Sequence, residues 1–251
     1  MRYFLKLAYR GSPFHGWQYQ PNAISVQEVL NTKLSQILGL AINVVGAGRT
    51  DTGVHAREMF AHFDLEKPIA NGNGFLDSLN KMLAPDIVVE ALYKVKPEAH
   101  ARFDATERSY EYHIQRKRSP FHQDLATGIY YPLNLEKMKE ATQLLIFKGD
   151  FSSFSKSKTQ TKTNICELRE AYWEIQENHW IFHISADRFL RNMVRAIVGS
   201  LLEVGRERMS IEDFGKMIAG KDRREAGESV PPQGLYLTKV KYPETIFLNG
   251  E

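Results

Sequence analysis

Cysteine is nearly missing from this chain: Cys166 is the single thiol in 251 residues. One thiol excludes an intramolecular disulfide framework and a thiolate cluster for zinc, and a reducing compartment is the simplest fit. No nucleophile motif surrounds Cys166, so it reads as a small residue in a strand. Long apolar runs are missing as well, and none approaches the length that spans a bilayer. The N-terminus, Met1 to Tyr9, alternates like a strand from its first residues, so no signal peptide and a cytoplasmic location are expected. A strong charge of either sign is also missing. With 33 basic against 30 acidic residues the net charge is +3, and only the placement of Lys and Arg can mark a nucleic-acid binder. The histidines His15, His55, His62 and His100 lack metal-ligand spacing, and no metal site is expected.

What is present is organised around one stretch, Gly46-Ala-Gly-Arg-Thr-Asp-Thr-Gly-Val-His-Ala56. Ile42 to Val45 before it reads as a strand, and Phe60 to Leu65 after it alternates like a second. The stretch is therefore expected to be a strand-to-strand loop. Gly46, Gly48 and Gly53 allow backbone angles and close approaches that a Cβ would block. Such a loop can hold the Asp51 carboxylate at a fixed angle beside the Arg49 guanidinium.

In chain order, Arg2 to Arg10 reads as a strand and Phe14 to Pro21 as an aromatic loop. Ser25-Val-Gln-Glu28 is a capping box, and Val26, Val29, Leu30, Leu34, Ile37 and Leu38 give the following helix one apolar face. Phe75 to Leu83 reads as a helix and Ile87 to Val95 as a strand. The order strand–helix–strand–strand–helix–strand is that of a split βαβ, or ferredoxin-like, unit. A similar pattern restarts near Ala105. Strands are expected over Arg108 to Gln115, Glu167 to Ile175, Trp180 to Ser185 and Leu235 to Tyr242, with helices over Leu135 to Phe147 and Phe189 to Val204. The expected fold is α+β. Two subdomains, 1–104 and 105–251, would join their sheets into one larger mixed, mainly antiparallel sheet with a cleft between them.

Two segments carry charge. Phe151 to Thr163 holds Lys156, Lys158 and Lys162 with no acid, and fits a solvated loop or a phosphate-contacting one equally well. On the helix from Phe189, the residues Leu190, Met193, Val194, Ile197, Val198, Leu201 and Leu202 form an apolar stripe. Arg195 lies at the edge of that stripe and calls for a carboxylate, since removing the partner of a buried charge costs about 3–5 kcal/mol. Arg188 and Arg191 read as solvent- or phosphate-facing, and Asp187 as a helix cap.

For Asp51 the plainer reading is turn chemistry, with the carboxylate bonding local N–H groups. Asp51-Thr52-Gly53 also matches the aspartic-peptidase tripeptide, but that mechanism needs a second carboxylate and no second copy exists. Gly46-Ala-Gly48 begins like a dinucleotide fingerprint, yet its sixth position is Asp51 and a strand follows. A passive RNA-binding module is the other alternative, because ferredoxin-like sheets with exposed aromatics bind single strands.

Gly48-Arg-Thr-Asp-Thr-Gly-Val-His55 resembles the catalytic loop of the TruA family of tRNA pseudouridine synthases. The likeness continues through Tyr9 to Trp17, Arg108-Ser-Tyr-Glu-Tyr112, Asp150 to Phe154, Phe189 to Arg195 with Gly199, and Pro232 to Leu237. One departure is Thr52, where the family more often carries Ala. The resemblance implies isomerisation of uridine to pseudouridine in the anticodon stem-loop of tRNA, by a homodimer and without cofactor or metal. It makes Asp51 the catalytic residue and Arg195 its ion-pair partner. Arg49 would hold the extruded nucleotide, Tyr110 would stack on the uracil, Leu235 would line the pocket, and His55 belongs to the same substrate-binding set. Lys156, Lys158, Lys162, Arg188 and Arg191 would contact phosphates. The sequence leaves attack on the sugar, addition to the base and proton abstraction open for Asp51.

Overall fold

A computed structural model describes residues 1–156 and 163–248; the candidates Lys158 and Lys162 lie outside the described residues. The chain divides into two compact units. One holds Met1–Thr106 and the chain from Tyr236 onward, the other Glu107–Leu235. This departs from the expected 104/105 division, which left the C-terminal strand in the second subdomain. Backbone pairing is the reason. Tyr236 and Leu237 lie parallel to His55 and Ala56, the Thr106 N–H donates to Lys241 O at 2.8 Å, and Tyr242 Oη donates to Ala101 O at 2.6 Å.

The first unit contains β1 (Arg2–Tyr9), α1 (Val26–Leu38), β2 (Val45–Gly46), β3 (His55–Asp64), α2 (Gly72–Met82) and β4 (Ile87–Val95). Their sheet order is β4-β1-β3-β2, antiparallel throughout, as the split βαβ pattern requires. The Ser25 hydroxyl accepts from Glu28 N at 3.2 Å and starts α1. Gly39, in the left-handed conformation, ends it, which glycine does without steric cost. On one face of β1 and β3, Phe4 packs against Phe60, His62, Tyr242 and Phe247. Tyr3, Leu5, Leu7 and Tyr9 point the other way and are buried too, so the sheet is apolar on both sides.

The second unit contains β5 (Glu107–Gln115), β6 (Thr127–Gly128), α3 (Leu135–Gln143), β7 (Lys148–Asp150), β8 (Ile165–Gln176), β9 (His179–Ala186), α4 (Met193–Gly205) and α5 (Ile211–Gly220). Strands β5, β9, β8 and β7 are antiparallel neighbours in that order, and β6 lies parallel to β5. The last strand, β10 (Leu235–Lys241), begins where this unit ends. Tyr112, Phe182 and Ile184 of the sheet are buried, as are Met138 of α3 and Met193 and Ile197 of α4. A second apolar row, Phe147, Phe151, Phe154 and Phe214, runs at ring spacings of 4.7, 6.4 and 6.3 Å. Cys166 sits in β8, fully buried, and burial pushes its thiol up to about 12.

The ten strands and five helices among the described residues make an α+β fold whose pairing is mixed and mainly antiparallel. No helix among them is long and apolar enough to cross a membrane. Three expectations need correction. The strand expected over Ile42 to Val45 is only the two-residue β2, because Asn31 and Gln27 of α1 take the Val44 N–H and C=O at 2.8 Å each. Strand β3 starts at His55 rather than Phe60. Helix α4 starts at Met193 rather than Phe189, because Asn192 is left-handed at φ 67°, a conformation Asn tolerates better than most residues.

Candidate active site

The Asp51 loop rests on the segment that follows β1. Trp17 N–H donates to Thr50 O at 3.2 Å, Gly53 N–H to Phe14 O at 3.4 Å, and Val54 N–H to Asp51 O at 3.1 Å. The Tyr9 and Thr50 hydroxyls share a buried hydrogen bond of 2.9 Å. These contacts fix the backbone on both sides of Asp51, whose side chain remains half-exposed next to the exposed Arg49.

Glycine makes that contact possible, on both partners. A Cβ on Gly16, at φ +87°, would stand 2.4 Å from Thr50 O, and one on Gly11 would stand 2.0 Å from Val54 O. Gly53, at φ 78°, takes the left-handed turn. His55 is 2% exposed, stacks on Tyr236 at 4.5 Å, and accepts from Gly11 N–H through Nδ1 at 3.1 Å. These contacts are framework contacts: they brace the loop from behind. Gly11 and Gly16 lie outside the glycine-rich stretch that the sequence singles out. Their signal was present as Gly-Ser-Pro and His-Gly-Trp flanking Phe14.

In the second unit Tyr110 lies on β5 opposite Ile184, half-buried, with the edge of its ring pair with Phe189 at 5.1 Å and 85°. Two residues on, Tyr112 is fully buried and its hydroxyl is bonded to Thr127 Oγ1 at 2.6 Å and donates to Pro231 O at 2.8 Å. Burial pushes the Tyr112 hydroxyl above its ordinary value, partly offset by the Thr127 bond and the Arg195 charge. So Tyr112 is a core anchor, and Tyr110 keeps an accessible ring.

Arg195 occupies the first turn of α4 and is half-buried. Its Nε donates to Val230 O at 2.7 Å, and Val230 N–H donates back to Arg195 O at 3.2 Å. Residues 226–230 form a strap along the helix. Gly227 N–H donates to Ser200 Oγ at 2.9 Å, and Asn192 Nδ2 and Arg223 both donate to Ser229 Oγ, at 2.5 and 2.9 Å. The strap approaches so closely that a Cβ on Gly199 would lie 1.8 Å from Glu228 O. Thus a helix stripe and a strap together aim the guanidinium, and the strap was not foreseen.

Leu235 is buried at the start of β10. Arg191 and Lys156 are both exposed, and their backbones meet through Lys156 N–H on Arg191 O at 3.1 Å. Arg188 is half-exposed. Asp187 does not cap α4; its carboxylate accepts from Glu167 N and Arg188 N at 2.7 Å each, tying β8 to the end of β9. No group of three or more His, Cys, Asp or Glu among the described residues is placed to hold a metal ion.

The sequence model of the tRNA pseudouridine synthases matches residues 141–243. Among curated relatives, the tRNA pseudouridine synthase A of Bacteroides fragilis is 50% identical over 247 residues, covering 98% of both chains. That of Parabacteroides distasonis is 49% identical over 246 residues, again 98% of both. That of Exiguobacterium sibiricum is 36% identical over 244 residues, 97% of this chain and 98% of its own. The chain belongs to the tRNA pseudouridine synthase A family.

Proposed function

We propose that this protein isomerises uridine to pseudouridine in the anticodon stem-loop of tRNA, as a cytoplasmic homodimer. In that reaction the N1–C1′ bond breaks and C5 bonds to C1′. The proton leaving C5 is balanced by one gained at N1, so substrate and product are isomers and no redox group is needed. Asp51 supplies the nucleophile or base, and Arg195 is its cationic partner. Arg49 holds the extruded nucleotide, and Tyr110 offers an aromatic face for the uracil, as such faces do for unpaired bases. Turning a stacked base out of a stem costs roughly a few kcal/mol, which binding to the rest of the RNA must offset.

The observation that carries this reading is the fixed backbone of the Asp51 loop, bonded at Thr50, Asp51 and Gly53. A carboxylate with only a turn-forming role would not need a second segment, shaped by Gly11 and Gly16, beneath it. Incubating the protein with an unmodified tRNA transcript and mapping new pseudouridines tests the reading directly. The wild type is expected to modify the anticodon stem-loop. Asp51→Ala is expected to bind tRNA with little change and to form no pseudouridine; turnover by that variant would remove Asp51 from its role.

A further inference from the structure

We propose that the excursion between β5 and β6, residues 116–126, together with Tyr130, is a second RNA-contacting surface, one that binds the polynucleotide away from the reacting base. The inference rests on the tRNA reading above and extends it to a surface with no part in the chemistry.

The segment Arg116 to Tyr131 carries Arg116, Lys117 and Arg118 against a single acid, Asp124, with Phe121, Tyr130 and Tyr131 interleaved. Its ends are pinned. Thr127 and Gly128 lie parallel to Ile114 and Gln115. Arg116 donates to Ile129 O at 2.5 Å and Tyr131 O at 2.8 Å, and its guanidinium sits 4.5 Å from the Trp180 ring centroid. The tip is a short 3-10 turn, Pro120–His122, capped by Ser119, whose hydroxyl accepts from Phe121 N at 3.3 Å. That turn holds Phe121 out at 83% exposure.

Beside it the Arg118 guanidinium lies over the Tyr130 ring at 5.1 Å, and Tyr130 is itself 48% exposed. Tyr130 folds back over Gly128, where a Cβ would meet the tyrosine Oη at 2.3 Å. Lys117 is exposed, and neither Lys117 nor Arg118 has an acidic partner among the described residues. The exposed Lys117, the Arg118 guanidinium stacked on Tyr130 and the open Phe121 ring on one pinned excursion suit a phosphate backbone with unstacked bases: cations release counterions and rings take up base faces.

The surface lies at the far end of β5 from Tyr110. Six residues of extended strand, from Tyr110 to Arg116, span roughly 20 Å. A contact at that remove acts on affinity and leaves turnover at saturating RNA alone.

The test measures Kd for unmodified tRNA across a salt series, and pseudouridine formation at saturating tRNA. It compares the wild type with Lys117→Gln/Arg118→Gln/Phe121→Ser and with Phe121→Ser alone. The triple variant is expected to bind at least about tenfold more weakly, with the slope of log Kd against log salt reduced by about 1.5 for two lost phosphate contacts. Phe121→Ser is expected to weaken binding with the slope unchanged, and both variants to keep full turnover at saturation. Wild-type affinity and slope in the triple variant, while the wild type binds and modifies tRNA, would overturn the surface and leave the enzyme reading standing. Loss of self-association with tRNA affinity intact would assign the surface to a second copy of the chain, and would equally overturn it. A wild type that neither binds nor modifies tRNA would remove both readings.

Discussion

His62 shows how one buried side chain fixes a turn. It sits under Phe4, and its Nδ1 accepts from Ala101 N at 3.2 Å. His100 does the same for Arg102 N at 3.1 Å, while Arg2 holds Ala99 O at 2.9 Å. Each acceptor role needs an unprotonated nitrogen. Burial first, then the Arg2 and His100 charges, pull His62 from 6.5 down to about 4, against the opposing pull of Asp64 and Asp104. The unfolded chain therefore binds this proton near pH 6.5 and the folded chain only near 4. Between those values the unfolded state holds more protons, so stability rises with pH and is lost as pH falls, by at most about 1.4 kcal/mol per pH unit for one group. His62→Asn keeps an acceptor for Ala101 N and removes the titration. Its urea midpoint is expected to fall less than the wild type's from pH 6.5 to 4, and an identical fall would exclude His62 as a source of the acid sensitivity. None of this was legible in sequence, where His62 was one of several histidines without metal spacing. By contrast the glycine spacing and the adjacent guanidinium around Asp51 are local features, visible in the sequence alone.

At the scale of elements, the contact between α4 and the 226–230 strap decides where Arg195 points. Gly199→Ala gains helix propensity, about 1 kcal/mol, but puts a methyl carbon 1.8 Å from Glu228 O, a backbone atom that cannot rotate away. Overpacking of this kind costs about 1–3 kcal/mol, and the strap must shift in addition. We expect a lower Tm and, because Val230 moves with the strap, reduced pseudouridine formation. Gly215→Ala in α5 is the control: its nearest neighbour is Leu144 Cδ1 at an ordinary 3.7 Å, so stability is expected to rise by up to about 1 kcal/mol. Equal effects of opposite-sign expectation in thermal melts, with both variants stabilised, would show that the strap yields freely. Periodicity revealed the stripe of α4 but misplaced its start, since a left-handed asparagine is set by Ser229 from elsewhere in the chain. Helix α5 went unread, although Ser210, which accepts from Asp213 N at 3.0 Å, is a local cap signal.

At the scale of the molecule, the C-terminal chain returns to the first unit, so that unit is built from two separate stretches of sequence while the second, Glu107–Leu235, is continuous. Assembly belongs to this scale as well. The homodimer proposed for the working enzyme predicts twice the chain mass in analytical ultracentrifugation at micromolar concentration. A single-chain mass there, with full activity, would count against it.

The sequence by itself determined the order of elements in the first unit, the α1 cap and the place of Cys166 in a strand. Each depends on residues close together in the chain, through alternation, helical spacing or a side chain bonding its own backbone. Only the tertiary structure decided that β10 pairs with β3, that Gly11 and Gly16 lie beneath the Asp51 loop, and that a strap steers Arg195. Those contacts join segments tens to hundreds of residues apart, and backbone fit across such separations leaves no local pattern to read.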